Sequence, residues 1–245
     1  MLYTKQELLN CVFFDIETKP NTDIPDKLME LWKEKFHFRY LEKEIELQTK
    51  LASLKYNSSK KHELSQEDLD TFLFENIFIK YAPLQAEFSE VFCISVGMFD
   101  EDMNEDVVCI CENTEKATLE KLKIFLNKGE LILAGFNIKG FDVPYLIKRF
   151  LINNIKPPNL LQLRGKKPWD VKMLDLCEDW KGMGWESSSL DLLCNVLNVP
   201  SPKTNFKNYE IWEKYYANEI TKEDICNYCN DDVKAPMRIA VKLMF

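Results

Sequence analysis

The sequence predicts an α/β domain built on a mixed β-sheet flanked by helices, with a helical insertion after the first strand. Three observations carry this. A short apolar, β-prone run, Cys11–Glu17, precedes a charged stretch with helical periodicity. Two further β-prone runs flank an acidic turn. The second half then sets one buried strand among amphipathic helices. At 245 residues the chain suits a single domain, 1–245, carrying an insertion at about 21–83.

Taken in order, Cys11-Val-Phe-Phe-Asp-Ile-Glu17 reads as a buried strand ended by Thr18-Lys-Pro20. In the insertion, Leu28, Trp32 and Phe36, then Leu41, Ile45 and Leu51/Ala52, recur at helical spacing. Lys55–His62 reads as an exposed link, and Ser65-Gln-Glu-Asp68 as the N-cap of a helix through Leu69, Phe72, Leu73 and Ile77. Val91–Phe99 and Val107–Cys111 flank the acidic turn Asp100–Asp106, the pattern of an antiparallel hairpin. An amphipathic helix spans 114–128 and stops at Gly129. Leu131–Gly135 is a short buried strand, followed by helices near 143–152, 174–181, 189–197, 208–218 and 222–243.

Composition narrows the chemistry. Hydrophobic content of 46% and aromatic content of 12% exclude a disordered chain. Asp and Glu number 40 against 32 Lys and Arg, a net charge of −8, which argues against non-specific coating of nucleic acid. No run approaches the roughly 18–20 apolar residues of a membrane span. MLYTKQELLN has no signal architecture, so a soluble cytoplasmic protein is expected. The only histidines, His37 and His62, lie away from every motif, which disfavours a His base or a His-rich metal site. Eight cysteines without a signal peptide read as reduced, buried thiols. A zinc set of Cys109, Cys111, Cys226 and Cys229 is set aside, because a strand and a helix lack the loop context of a zinc knuckle.

The chemistry sits in three pieces. Asp15-Ile-Glu17 is the only D-x-E; on a strand both carboxylates share one face while Phe14 and Ile16 point the other way. Asp142 falls near the start of a helix after Gly135-Phe-Asn-Ile-Lys-Gly-Phe141. Tyr228 and Asp232, the only Y-x3-D, share a helix face. Alone, each has a plainer reading: solvated strand-end acids, an N-cap, surface decoration. Together, four carboxylates without a histidine suit oxygen-ligated Mg²⁺ or Mn²⁺. Two such ions can hold the attacking and leaving oxygens of a phosphodiester.

These residues resemble the motifs of a 3′–5′ exonuclease of the DEDD superfamily, in its tyrosine subclass. Phe14-Asp-Ile-Glu-Thr18 matches the first motif, and Gly135–Leu146 is similar to the second as found in family B DNA polymerases. Tyr228–Asp232 matches the third, where the histidine subclass would need H-x4-D. Ala86–Gly97 and Ser189-Leu-Asp…Val199-Pro200…Lys203 are similar to stand-alone exonucleases related to the polymerase B proofreading domain. The resemblance covers about 10–20 and 84–240, and it implies an RNase H-like fold. It further implies that Asp15, Glu17 and Asp232 bind one metal ion, that Asp15 and Asp142 bind a second, and that Tyr228 orients water. Ile16, Asn137 and Phe141 would contact the terminal nucleotide. Asp231 adjoins the motif but lies off the shared face. Pro236 departs from the common pattern, with its bend expected after Asp232.

The implied activity is metal-dependent hydrolysis from a 3′ end, with single-stranded DNA as first-choice substrate and nucleoside 5′-monophosphates as products. With no polymerase domain after Phe245, any proofreading is expected in trans, with replication or repair proteins as partners. Alternatives are an exoribonuclease of RNase D-like type, an inactive nucleic-acid-binding module on the same fold, and a partner-binding role for 21–83. Residues 143–169 hold no acid but carry Lys148, Arg149, Lys156, Arg164, Lys166 and Lys167, either a strip that guides a phosphate backbone or a solvated face. The Lys55–Lys61 cluster reads as solvated linker, and Trp169, Trp180 and Trp185 as core or loop packing rather than a stacking platform.

Overall fold

The strand that bears Asp15 and Glu17 is the centre of the sheet. In the computed structural model, which describes residues 2–37, 77–128, 131–167, 171–202 and 210–244, five strands run in the order β3-β2-β1-β4-β5. They are β1 (Cys11–Pro20), β2 (Ser89–Phe99), β3 (Glu105–Ile110), β4 (Ile132–Gly135) and β5 (Met173–Asp175). The β1–β2 and β2–β3 pairs are antiparallel, whereas β1–β4 and β4–β5 are parallel, so the sheet is mixed as expected. β5 was not anticipated: the sequence reads helix from 174. Three residues are too few for a period to show, and β5 exists because β4 supplies its parallel partner.

Among the described residues, the α-helices of five residues or more, numbered along the chain, are α1 (Lys5–Leu9), α2 (Asp26–His37), α3 (Glu115–Leu126), α4 (Asp142–Ile152), α5 (Leu176–Lys181), α6 (Leu190–Leu197), α7 (Ile211–Tyr216) and α8 (Lys222–Lys242). α1 was also missed, although its capping box is legible in the sequence: Thr4 accepts from the Glu7 N–H, and Glu7 accepts from the Thr4 N–H at 2.8 Å. α8 has the same device in Thr221 and Asp224. The part of the insertion that is described agrees with the helical expectation in α2, where Trp32 is fully buried. The helices expected between 38 and 76, the Lys55–Lys61 cluster, Gly129, Trp169 and Lys203 lie outside the described residues.

Alternation along β1 feeds a core on each face. Val12, Phe14 and Ile16 pack with Leu119 and Leu122 of α3 and with Val143, Leu146 and Phe150 of α4. Cys11 and Phe13 pack with α6 and with Val233, Met237 and Ala240 of α8. A third cluster joins Trp32, Ile77 and Phe78 to Trp212 of α7 and to Ile225, Tyr228 and Cys229 of α8. α8 lies very close to the sheet. A Cβ at Gly97 of β2 would come within 2.7 Å of Met237 Sδ and 2.8 Å of Val233 Cγ1, so only glycine permits this approach. Among the described residues, no helix is long and apolar enough to cross a membrane.

Candidate active site

β1 brings Asp15 and Glu17 to the face covered by α8. Their carboxylate oxygens and the sulfur of Cys229 lie within 4.8 Å of one another. A β-bulge between Glu17 and Thr18 shifts the register against β2, and Thr18 is tied down by donating its hydroxyl to the Pro83 carbonyl at 2.7 Å. Cys229 points its thiol at Asp15, 3.5 Å from the carbonyl oxygen and 3.8 Å from Oδ2.

Asp142 is the first residue of α4, and its side chain does not cap that helix. It turns to β1 instead, where Oδ1 accepts from the Ile16 N–H at 3.2 Å. Phe141, not Asp142, holds the N-cap position. The loop before Asp142 is held by Asp175, which was not singled out in the sequence. Its carboxylate accepts from the Asn137 N–H at 2.8 Å and the Lys139 N–H at 2.9 Å while also capping α5. Asn137 adopts a positive φ of 60° and is exposed; Phe141 is half-buried beside Tyr145, with centroids 5.4 Å apart. Ile16 is buried in the core, so only its backbone reaches the site.

α8 supplies the remaining groups. The Tyr228 hydroxyl hydrogen-bonds the Asp232 carboxylate and lies within electrostatic reach of Asp15 and Glu17. Asp231 faces away and pairs with Lys234 at 2.9 Å, which separates the two adjacent acids as expected. Pro236 leaves α8 continuous, but its missing N–H would have bonded the carbonyl of residue 232.

The electrostatics are those of crowded acids. Burial, followed by Cys229, Asp142, Asp232 and Glu17, pushes Asp15 well above the usual carboxylate range. Burial, then Asp232 and Asp142, does the same to Glu17. Burial carries Asp142 up to about 8 and Asp232 up to about 7. Burial and these carboxylates push the Tyr228 phenol upward as well, so it stays protonated at neutral pH. Such a set is costly as bare anions and well matched to hard divalent cations, which take carboxylate oxygens. The oxygen donors therefore fit Mg²⁺ or Mn²⁺. Asp142 and Asp232 stand outside the 4.8 Å set of Asp15, Glu17 and Cys229.

Three expectations need correction. Arg149 is not part of a basic strip; it is buried in a bidentate pair with Glu115, because α4 packs that face against α3. Lys148 is paired with Glu87 at 3.1 Å, and Lys156, Arg164 and Lys166 are exposed. Trp185 is 96% exposed and Trp180 39%, so neither is packed away; the chain leaves α5 at Gly182, where φ is +55°, and swings outward. The cysteines set aside for lack of a zinc-knuckle loop include two, Cys109 and Cys226, that lie together with Cys93. The β2–β3 register sets Ser95 opposite Cys109 and so brings Cys93 beside it, and α8 lays Cys226 on top.

A five-stranded mixed sheet flanked by helices, with acids on its central strand, is an RNase H-like arrangement. Residues 81–239 match the family described as predicted 3′-5′ exonuclease related to the exonuclease domain of PolB, and the chain belongs to that family. The matched span holds Asp142, Tyr228 and Asp232. Asp15 and Glu17 precede it and join through the β1–β2 pairing. No curated protein matches the chain.

Proposed function

We propose that this chain removes nucleotides stepwise from the 3′ end of single-stranded DNA, releasing nucleoside 5′-monophosphates, with two Mg²⁺ or Mn²⁺ ions. The observation that carries this reading is the environment of Asp15. The groups that shift it electrostatically are all acidic (Cys229, Asp142, Asp232 and Glu17), and they come from three separate segments. A fold gains nothing from such a gathering unless a cation joins it.

In this reading Asp15, Glu17 and Asp232 hold one ion, and Asp15 and Asp142 hold the other. When bound, the ions acidify the attacking water and neutralise charge on the leaving 3′ oxygen. Tyr228 is too weak an acid to serve as the base. It keeps its proton, donates to Asp232 and positions the water. Asp142 also accepts from the Ile16 N–H, coupling the placement of the first and second motifs. Asn137 and Phe141 hold the terminal sugar and base, with Phe141 offering a stacking face. Ile16 contributes through its backbone.

The test uses 5′-labelled DNA and RNA of equal sequence, with Mg²⁺, Mn²⁺ or EDTA. A ladder shortening from the 3′ end, faster on DNA and abolished by EDTA, is expected. Activity that survives EDTA contradicts the ion-dependent reading, and a preference for RNA replaces the substrate class. Internal cutting of a 3′-blocked strand would make the chain an endonuclease.

A further inference from the structure

Behind the carboxylates, between the sheet and α8, lies a second cluster with different chemistry. The sulfurs of Cys93 on β2, Cys109 on β3 and Cys226 on α8 lie within 4.8 Å of one another. Cys111, just past β3, stands outside that group but neighbours Cys93 and Cys226, while its thiol donates to the Phe92 carbonyl at 3.2 Å. We propose that Cys93, Cys109, Cys111 and Cys226 form a tetrathiolate site for a single Zn²⁺ ion that fastens α8 to the β2–β3 hairpin.

Several observations favour an ion over an ordinary thiol core. Neutral thiols are weak hydrogen-bonding partners, so a knot of sulfurs gains little that Val or Ala would not supply. Lys222 stands beside the cluster, its Nζ donating to the Cys111 carbonyl at 2.7 Å. In a tetrahedral zinc site with Zn–S near 2.3 Å, sulfurs sit roughly 3.8 Å apart, a modest contraction from the observed grouping. Three sulfurs within 4.8 Å of one another suit a single ion and are too close together to span a polynuclear iron–sulfur cluster. Thiolates also select zinc over the Mg²⁺ or Mn²⁺ suited to the carboxylates.

Cys229 is not counted in the tetrad. It touches Cys93 on one side and Asp15 on the other, and so stands between the two centres. The register explains this adjacency, since Cys93 pairs directly with Glu17 across β1 and β2. An ion held by Cys226 would therefore set the depth and rotation of α8 two residues before Tyr228. The role is positioning, and it stands whether or not the chain is a nuclease.

Metal content and spectrum test it on the full chain. After zinc loading and extensive dialysis, the wild type and Asp15→Ala should each retain stoichiometric zinc. The double variant Cys109→Ser/Cys226→Ser should lose it, and Cys177→Ser/Cys194→Ser should keep it. Cobalt exchanged for zinc in the wild type should show strong thiolate-to-metal charge transfer and tetrahedral ligand-field bands. That spectrum decides the matter even if the first double variant does not fold. Zinc absent from the loaded wild type, zinc lost in Asp15→Ala, an iron–sulfur chromophore, or a disulfide within the tetrad would each overturn the proposal.

Discussion

Asp142 and Asp232 show at the level of single residues why the proposed site would favour a bound cation. Folded, their carboxyls titrate at about 8 and about 7, against about 3.9 for an unperturbed Asp. Between those limits the folded chain holds more protons than the unfolded one. These groups therefore make stability fall as pH rises, and the loss is complete only above the folded values. A divalent cation removes the penalty, and it does so most where the carboxylates would otherwise be charged. In EDTA, the contribution of these groups should be smaller at about pH 8 than at about pH 5. The rise in Tm on adding Mn²⁺ should be larger at the higher pH by several degrees and should shrink in Asp15→Asn. An Mn²⁺ effect equal at both pH values would contradict this account.

Among the elements, the join of α3, α4 and β2 is carried by one buried acid. Glu115 accepts from the Arg149 side chain, the Val91 N–H and the Asn153 amide, each at 2.7 Å, and its side chain is 6% exposed. Glu115→Ala would strand the Arg149 guanidinium in the core, at a cost of about 3–5 kcal/mol. Urea unfolding would read that loss directly; a change below about 1 kcal/mol would mean that the pair is solvated and α4 is anchored by other contacts.

The same join marks what was legible in the sequence. Elements with a long period, such as α4, α8 and the β2–β3 hairpin, follow from patterning. Asp142, Tyr228 and Asp232 follow from spacing within local motifs. The tie between Arg149 and Glu115, the loop-holding Asp175 and the neighbour relation of Cys93 with Glu17 all depend on which strand lies beside which and in what register. Those are properties of pairs distant along the chain. A basic residue in an acid-free stretch therefore looked exposed, and cysteines on a strand and a helix lacked the loop context that marks a metal site in sequence.

Across the whole molecule, a net charge of −8 fits a protein that grips a strand end locally rather than one that coats a polyanion. Four of the 40 acidic residues are gathered where cations would offset them, and Lys156, Arg164 and Lys166 stay exposed. β1 and α8 come from opposite ends of the chain, so the site forms only when the domain closes around its central strand. The most direct measurement compares two adjacent acids on one helix. On a 5′-labelled single strand with Mn²⁺, Asp232→Asn should slow 3′ shortening on the order of 10²–10³-fold, while Asp231→Asn stays near wild type. Equal losses in both, or full activity in Asp232→Asn, would contradict a catalytic centre built from these carboxylates.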